Sequence, residues 1–204
     1  MSQRETMHNN KNVLNRFVSK GVFPHQWAFT LLCPLRNIFL SPKRLIRRLE
    51  IREDSQVLEV GSGPGYFSVP VAQTLTRGTL TLAEIQPEML DYAKKRLTRA
   101  KLSNVVYYQC NGCQFELPDG GFDAIFLVTV FGEVENKNEY LHEFHRLLKP
   151  NGILSFSELW GDPDKMSTTE IRTLAEQVGF VFDRLYGYEW NYTINFRKGT
   201  IPKT

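Results

Sequence analysis

The segment Val57-Leu58-Glu59-Val60-Gly61-Ser62-Gly63-Pro64-Gly65 constrains the folding of this chain more than any other. A short apolar run of this kind reads as a buried strand, and it stops at three glycines placed at alternate positions. Without a side chain, glycine reaches positive φ at no steric cost and lets the backbone come within contact distance of another group. Phe67, Val71, Ala72 and Leu75 then follow at helical spacing. The helix start turns its free N–H groups and positive dipole end toward the glycines, which favours an anionic group there. A strand, a glycine turn and a helix form the opening unit of an open α/β sheet, whose ligands lie at the carboxyl ends of the strands.

The remaining sequence repeats that alternation. Thr79 to Ile85 reads as a second strand, and Pro87 opens a helix with Leu90, Ala93, Leu97 and Ala100 on one face. Val105 to Gln109 and Phe122 to Val130 are the next strands. Asn136 and Glu139 have the spacing of a capping box, ahead of a helix bearing Tyr140, Leu141, Phe144, Leu147 and Leu148. Lys149-Pro150-Asn151-Gly152 is a turn signal before the strand Ile153 to Ser157. Ser167 and Glu170 cap a last helix, and Phe180 to Tyr186 with Trp190 to Arg197 form a terminal hairpin. An ordinary parallel nucleotide-binding sheet does not need that hairpin, so it narrows the choice of fold.

Composition excludes several classes. The chain has 204 residues, 42% of them hydrophobic and 23% charged, which is the balance of one globular domain. Its longest near-apolar stretch, Trp27 to Leu35, spans about nine residues and contains Pro34, whereas a bilayer span needs roughly 20. The sequence start lacks the apolar block of a secretory leader. Three cysteines, Cys33, Cys110 and Cys113, are too few and too odd in number for a disulfide framework, so a reducing, cytoplasmic protein is expected. Residues 1–52 carry ten Lys or Arg against two Glu, a net charge of +8, while the rest of the chain is mildly acidic. Such a segment suits an anionic substrate, a nucleic acid or a lipid surface, or is a solvated helix face.

Two phosphate-binding patterns fail. The dinucleotide fingerprint would need Gly or Ala at position 66 or 68, where Tyr66 and Ser68 stand. No Gly-Lys-Ser/Thr follows the glycines, as a P-loop would require.

The ordered set of motifs resembles the class I S-adenosylmethionine-dependent methyltransferases. Glu59 to Gly65 is similar to their first motif, and Ala83 to Leu90 to the segment with their acidic ribose ligand. Asn111-Gly112 stands where the family has an Asp and a small residue framing the adenine. Leu117 to Asp123 and Leu147 to Gly152 resemble the approaches to strands four and five, so the likeness covers about residues 40–198. Within the family the chain is similar to the small-molecule branch typified by ubiquinone and menaquinone biosynthesis enzymes. The resemblance implies an α/β fold, a Rossmann-like, seven-stranded, mostly parallel sheet with a C-terminal antiparallel hairpin and helices on both faces. An N-terminal helical extension, residues 1–52, would precede a methyltransferase domain of residues 53–204.

The same resemblance implies S-adenosylmethionine as cofactor and assigns its contacts. Gly61, Ser62, Gly63, Gly65 and Tyr66 form the turn, Glu84 meets the ribose hydroxyls, and Ile85 and Met89 flank the adenine. Asn111 and Gly112 frame the base, Val128 ends the fourth strand beside it, and Glu59 orients the ammonium end of the ligand. Asn111 departs from the family's carboxylate; its amide oxygen still accepts a hydrogen bond, a weaker neutral one. No metal is implied: Cys110-x-x-Cys113 without a second ligand pair is a poor zinc signature.

Methyl transfer from a sulfonium needs alignment and exclusion of water more than acids or bases. A base matters only where the acceptor must lose a proton. Glu133, Glu158 and His25 are the candidates, while His142 and His145 belong to the scaffold. Val130-Phe131-Gly132-Glu133-Val134 replaces the Pro-Pro-aromatic motif of amino-methylating DNA enzymes, so no nucleic-acid partner is expected. A small-molecule acceptor is expected, anionic or lipid-associated, met by an N-terminal lid whose apolar face includes Val22 to Leu35. The alternatives are a protein or RNA methyltransferase and a catalytically silent binding module, and the lid's alternative is a helix packed on the sheet.

Overall fold

The computed structural model describes residues 40–199. Seven strands form one sheet in the order β3-β2-β1-β4-β5-β7-β6: β1 (Gln56–Val60), β2 (Thr79–Glu84), β3 (Val105–Gln109), β4 (Phe122–Val128), β5 (Leu148–Glu158), β6 (Phe180–Tyr188) and β7 (Asn191–Lys198). The first five are parallel, and β7 enters between β5 and β6, antiparallel to both. This is the expected mostly parallel sheet with its terminal hairpin. Strand order reverses between β1 and β4, and at that switch point the crevice opens at the carboxyl ends.

Alternate side chains divide the core into two layers. Leu58, Val60, Ile125, Leu127, Leu154 and Phe156 face helices α4 (Lys137–Leu147) and α5 (Thr168–Gln177). Val57, Leu80, Leu82, Ala124 and Phe126 face α1 (Pro42–Leu49), α2 (Ser68–Thr74) and α3 (Pro87–Arg99). This period-two exchange follows from the strand pleat.

The described part of the N-terminal extension is a core element. Leu40, Leu45 and Leu49 are buried in the second layer. Arg48 Nη1 donates to Thr193 Oγ1 at 2.7 Å, Asn195 Nδ2 to the Arg48 carbonyl at 2.6 Å, and Arg197 pairs with Glu50 at 2.6 Å. Thr193 pairs with Ser157 near the end of β5 and Arg197 with Ile153 further back. The C-terminal end of α1 is thus fastened to β7 at three residues, Thr193, Asn195 and Arg197. Residues 1–39, with His25, Cys33 and most of the expected lid, lie outside the described residues.

Local differences from the sequence expectations have physical reasons. Ser167 and Glu170 form their capping box, but Asn136 and Glu139 do not. Asn136 sits at φ −99°, ψ 64°, outside the extended range that aims a cap at the third helical N–H, and its amide reaches the Glu139 carboxylate at 3.4 Å instead. α2 begins at Ser68 rather than Tyr66, because Gly65 N–H first closes a turn onto the Ser62 carbonyl. The turn expected at 149–152 is absorbed into β5 as a register shift between Phe122 and Ala124 of β4, with Asn151 at φ 62°.

Candidate active site

The glycine turn is shaped by its neighbours. Gly61, Gly63 and Gly65 have φ of 69°, 51° and 78°, in the left-handed region that penalises a Cβ. A Cβ on Gly61 would lie 2.5 Å from Val130 Cγ2, and one on Gly65 would lie 3.1 Å from the Ala93 backbone. Beyond conformation, the first and third glycines let the turn press against the end of β4 and against α3.

Two carboxylates anchor this turn from below. Glu84, the last residue of β2, accepts from Gly63 N–H at 2.8 Å with one oxygen and from Gln86 N–H at 3.0 Å with the other. Glu59, on β1, accepts from Ser68 Oγ at 2.6 Å. Both are buried, 5% and 4% exposed. Burial pushes the Glu59 carboxyl up to about 8, opposed by the Ser68 hydroxyl and helped by the negative charge of Glu84. Burial also raises Glu84, against the backbone N–H groups of Gln86, Gly63 and Ile85 that stabilise its charge.

The other expected contacts gather around Glu84. Cys110 N–H donates to the Glu84 carbonyl at 3.1 Å, extending the β2–β3 pairing and setting Asn111 and Gly112 beside the strand end. Asn111 is exposed, and Gly112 has φ 84° with open space where a Cβ would be. Ile85 is 48% exposed at the crevice, whereas Met89 is 2% exposed beneath it, packed inside α3's first turn. Tyr66 and Val128 are half-buried and pack against the second layer. Ser62 is buried, and its Oγ meets no hydrogen-bond partner among the described residues.

The opposite wall is acidic. Glu133 ends a 3₁₀ turn, Phe131–Glu133, after β4, and Glu158 ends β5. Burial first, then Asp162, Asp164 and Glu84, raise Glu133 to about 8. Burial and Asp162 raise Glu158 to about 8, with Lys165 opposing. His145 is a scaffold group, bonded through Nε2 to the Gly199 carbonyl at 3.0 Å, and His142 is exposed. Cys110 is buried, and Cys113 Sγ donates to Glu139 at 2.9 Å. Among the described residues no cluster of His, Cys, Asp or Glu has the arrangement of a metal site.

Several of these contributors are not signalled by the sequence. Ser68 holds Glu59 from nine residues away, across the turn. Val130 fills the space over Gly61, and Thr129 adopts φ 55° just before it. Gly132 lies so close to the Asp164 carbonyl that a Cβ would sit 1.9 Å from it, which folds the 159–166 loop onto the Glu133 turn. A conspicuous glycine at 132 is the one hint of that last contact.

The site tests well against the group the motifs imply. Each Glu84 oxygen accepts one backbone N–H and keeps a lone pair for a ribose hydroxyl. The glycine turn leaves its backbone bare toward the crevice, and Ser62 supplies a buried hydroxyl without a partner among the described residues.

Comparison with known proteins agrees. Residues 58–156 match the family described as methyltransferase domain. A ubiquinone/menaquinone biosynthesis C-methyltransferase of Psychromonas ingrahamii is 35% identical over 154 residues, 72% of this chain and 54% of that protein. A protein of the same name from Xanthomonas axonopodis pv. citri is 30% identical over 118 residues, 55% of this chain and 47% of that one. The chain thus spans about half the length of the curated relatives it matches. The crystal structure of a SAM dependent methyltransferase from Aquifex aeolicus superimposes with a TM-score of 0.81 at 22% identity, covering 86% of this chain and 99% of that one. The glycine turn, the strand-end acid and the terminal hairpin, with the match of residues 58–156 to the methyltransferase-domain family, support a class I S-adenosylmethionine-dependent methyltransferase, a family whose cofactor is S-adenosylmethionine.

Proposed function

We propose that the chain transfers a methyl group to a small-molecule acceptor by in-line displacement. The observation that carries this reading is the Glu84 carboxylate fastened beneath Gly63 at 2.8 Å, which joins the ribose site to the anion-attracting turn. S-adenosylmethionine supplies a methyl group on a positively charged sulfur, which needs no further activation.

The chain's own residues then have the work of holding and aligning. Glu84 receives the ribose hydroxyls, Ile85 covers one face of the base, and the Asn111 amide oxygen accepts from the adenine amino group. Gly112, Val128 and Met89 shape the base pocket, and Tyr66 closes its side. Gly61, Ser62, Gly63 and Gly65 receive the amino-acid end of the ligand, with Glu59 orienting its ammonium group. Glu133 and Glu158 face the acceptor and take its proton where one must leave.

The names of the relatives support a small-molecule acceptor. The charge of +8 in residues 1–52 supports an acceptor with an anionic or lipid-associated portion remote from the transferred methyl. The cysteine count supports a cytoplasmic setting, and among the described residues no helix is long and apolar enough to cross a membrane. The segment before Leu40 is assigned the closing of the acceptor side, on the strength of its apolar and aromatic run Val22 to Leu35.

Isothermal calorimetry with S-adenosylmethionine and S-adenosylhomocysteine tests the cofactor site, and methyl-label incorporation across acceptor classes tests the reaction. Binding of both compounds in the micromolar range is expected, on the order of −8 kcal/mol. A folded sample that ignores both refutes the reading.

A further inference from the structure

Strand register sorts the side chains of the β6–β7 hairpin between its two faces. Thr193, Asn195 and Arg197 of β7 point toward α1, where they meet Arg48 and Glu50. Their partners across the hairpin are Tyr186, Arg184 and Val181, and Tyr188 continues the alternation beyond Tyr186. α1 is fastened over β7, while the same face of β6, the last strand of the sheet, stays open. Val181 is 58% and Tyr188 73% exposed. Trp190 lies nearly parallel to Tyr188, with ring centroids 6.4 Å apart, and is 53% exposed.

Arginines border this open face and meet no acid. Arg44, Arg47 and Arg48 share one side of α1 by their spacing of three and four residues, an arrangement of like charges that destabilises a helix. Arg48 lies over the Tyr186 ring at 5.1 Å and Arg184 over the same ring at 6.0 Å, so the two elements present one basic surface. Among the described residues none of these four arginines is in an ion pair. The neighbouring acids are engaged elsewhere: Glu50 and Asp183 with Arg197, and Glu189 with Thr168. An uncompensated basic surface favours an anionic partner.

The side chains also discriminate among partners. A second copy turned onto this face by two-fold symmetry would set arginine against arginine. Residues 1–39 carry a net charge of +4 and are repelled from it. A nucleic acid is drawn by the arginines and can stack on Tyr188 and Trp190, but Val181 offers a base neither a ring nor a hydrogen bond, whereas an acyl chain covers it. Tyrosine, tryptophan and an aliphatic residue set among arginines are the side chains of a membrane–water interface.

We infer that this face docks on an anionic lipid bilayer, with Arg44, Arg47 and Arg184 at the phosphate headgroups and Tyr188 and Trp190 at the boundary with the acyl chains. Glu158, the last residue of β5, pairs with Tyr192, so the docking tip lies at the end of the sheet where the crevice opens. The surface is separate from the crevice, and vesicle binding and cofactor binding can fail independently.

Flotation of the full chain with two kinds of vesicle tests this, one of phosphatidylcholine alone and one of phosphatidylcholine mixed two to one with phosphatidylglycerol. The mixed vesicles are expected to bind at least about tenfold more tightly. Replacing the exposed Arg44, Arg47 and Arg184 together by Gln should weaken that binding by about 10–100-fold, and Tyr188→Ser with Trp190→Ser by about tenfold. S-adenosylhomocysteine affinity, measured by calorimetry on each variant as the check on folding, should change less than about threefold. Equal binding to the two vesicles overturns the inference. Wild-type binding by both variants overturns it as well, by assigning the attraction to residues 1–39. Tighter binding of single-stranded oligouridine than of the mixed vesicles overturns it in favour of nucleic acid, and a wild-type dimer in sedimentation velocity that both variants lose overturns it in favour of a second copy.

Discussion

Ser68 Oγ donates to Glu59 Oε2 across 2.6 Å, tying the first residues of α2 to β1 behind the glycine turn. Both partners are buried, so the hydroxyl is the hydrogen-bond partner that makes a buried acid tolerable there. Ser68→Ala removes that donor and should lower stability by about 1–3 kcal/mol, the range for stranding a buried polar group. Chemical unfolding measures it, and a change within error would mean that Glu59 is held otherwise.

Glu59 also gives stability a pH dependence of predictable sign. Its folded carboxyl keeps the proton up to about 8, from an ordinary value of 4.5. The unfolded chain gives that proton up near the ordinary value, so unfolding releases a proton between the two. Stability from this group is therefore greatest below 4.5 and falls as pH rises toward 8. Glu133 and Glu158 act in the same direction. Subtracting the melting curve of Glu59→Gln from that of the wild type across this window should leave a negative slope; a flat difference would mean that Glu59 is ionised in the folded chain.

Parts of this site can be read from the sequence because they are local. Gly61, Gly63 and Gly65 announce a positive-φ turn by residue type alone, and Glu84 is marked by the resemblance of Ala83 to Leu90 to the family's ribose segment. Ser167 and Glu170 cap α5 because both partners lie within one helical turn. Asn136 and Glu139 have the same spacing and fail, because the backbone of Asn136 lies outside the cap conformation. The Val130 contact with Gly61, the Ser68 bond to Glu59 and the meeting of Asp162 with Glu133 depend on how loops from different strands come together. No periodicity in one chain carries that information.

Gly61 joins two constraints that can be separated. Gly61→Ala forces a Cβ into the left-handed region, at about 1–2 kcal/mol, and also into Val130 Cγ2 at 2.5 Å. Pairing it with Val130→Ala should recover the steric part and leave the conformational part. A double-mutant cycle by chemical unfolding is expected to give a favourable coupling of about 1–2 kcal/mol. Strict additivity would mean that Val130 moves aside without cost.

Glu84→Gln tests the ribose acid. An amide has only one acceptor atom, so it cannot receive both Gly63 N–H and Gln86 N–H as the carboxylate does. The turn loosens, and one site for a ribose hydroxyl is lost. Calorimetry should show S-adenosylhomocysteine binding weakened by about 10–100-fold, or 1.4–2.8 kcal/mol.

Activity should rise with pH because of Glu133. Burial, then Asp162, Asp164 and Glu84, keep it protonated up to about 8, and only the ionised form can take a proton. Since Glu158 titrates in the same range beside it, the pair will show joint midpoints. The rate constant kcat/KM is expected to increase through pH 8, and Glu133→Gln to lower it and flatten the profile. A wild-type profile already flat from 6 to 9 would remove Glu133 from the reaction.

Leu40, Leu45 and Leu49 are buried in the second layer, so α1 and the segment before it should respond differently to change. Leu45→Ala empties a fully buried site and should cost about 2–5 kcal/mol. Removing residues 1–38 leaves α1, its cap Ser41 and the Arg48 and Arg197 contacts in place. The shortened chain should keep the melting temperature and S-adenosylhomocysteine affinity of the full chain but lose methyl-label incorporation, if the removed segment closes the acceptor side as proposed. Unchanged incorporation would assign the whole acceptor site to residues 40–199; loss of cofactor binding as well would show that the segment supports the crevice itself.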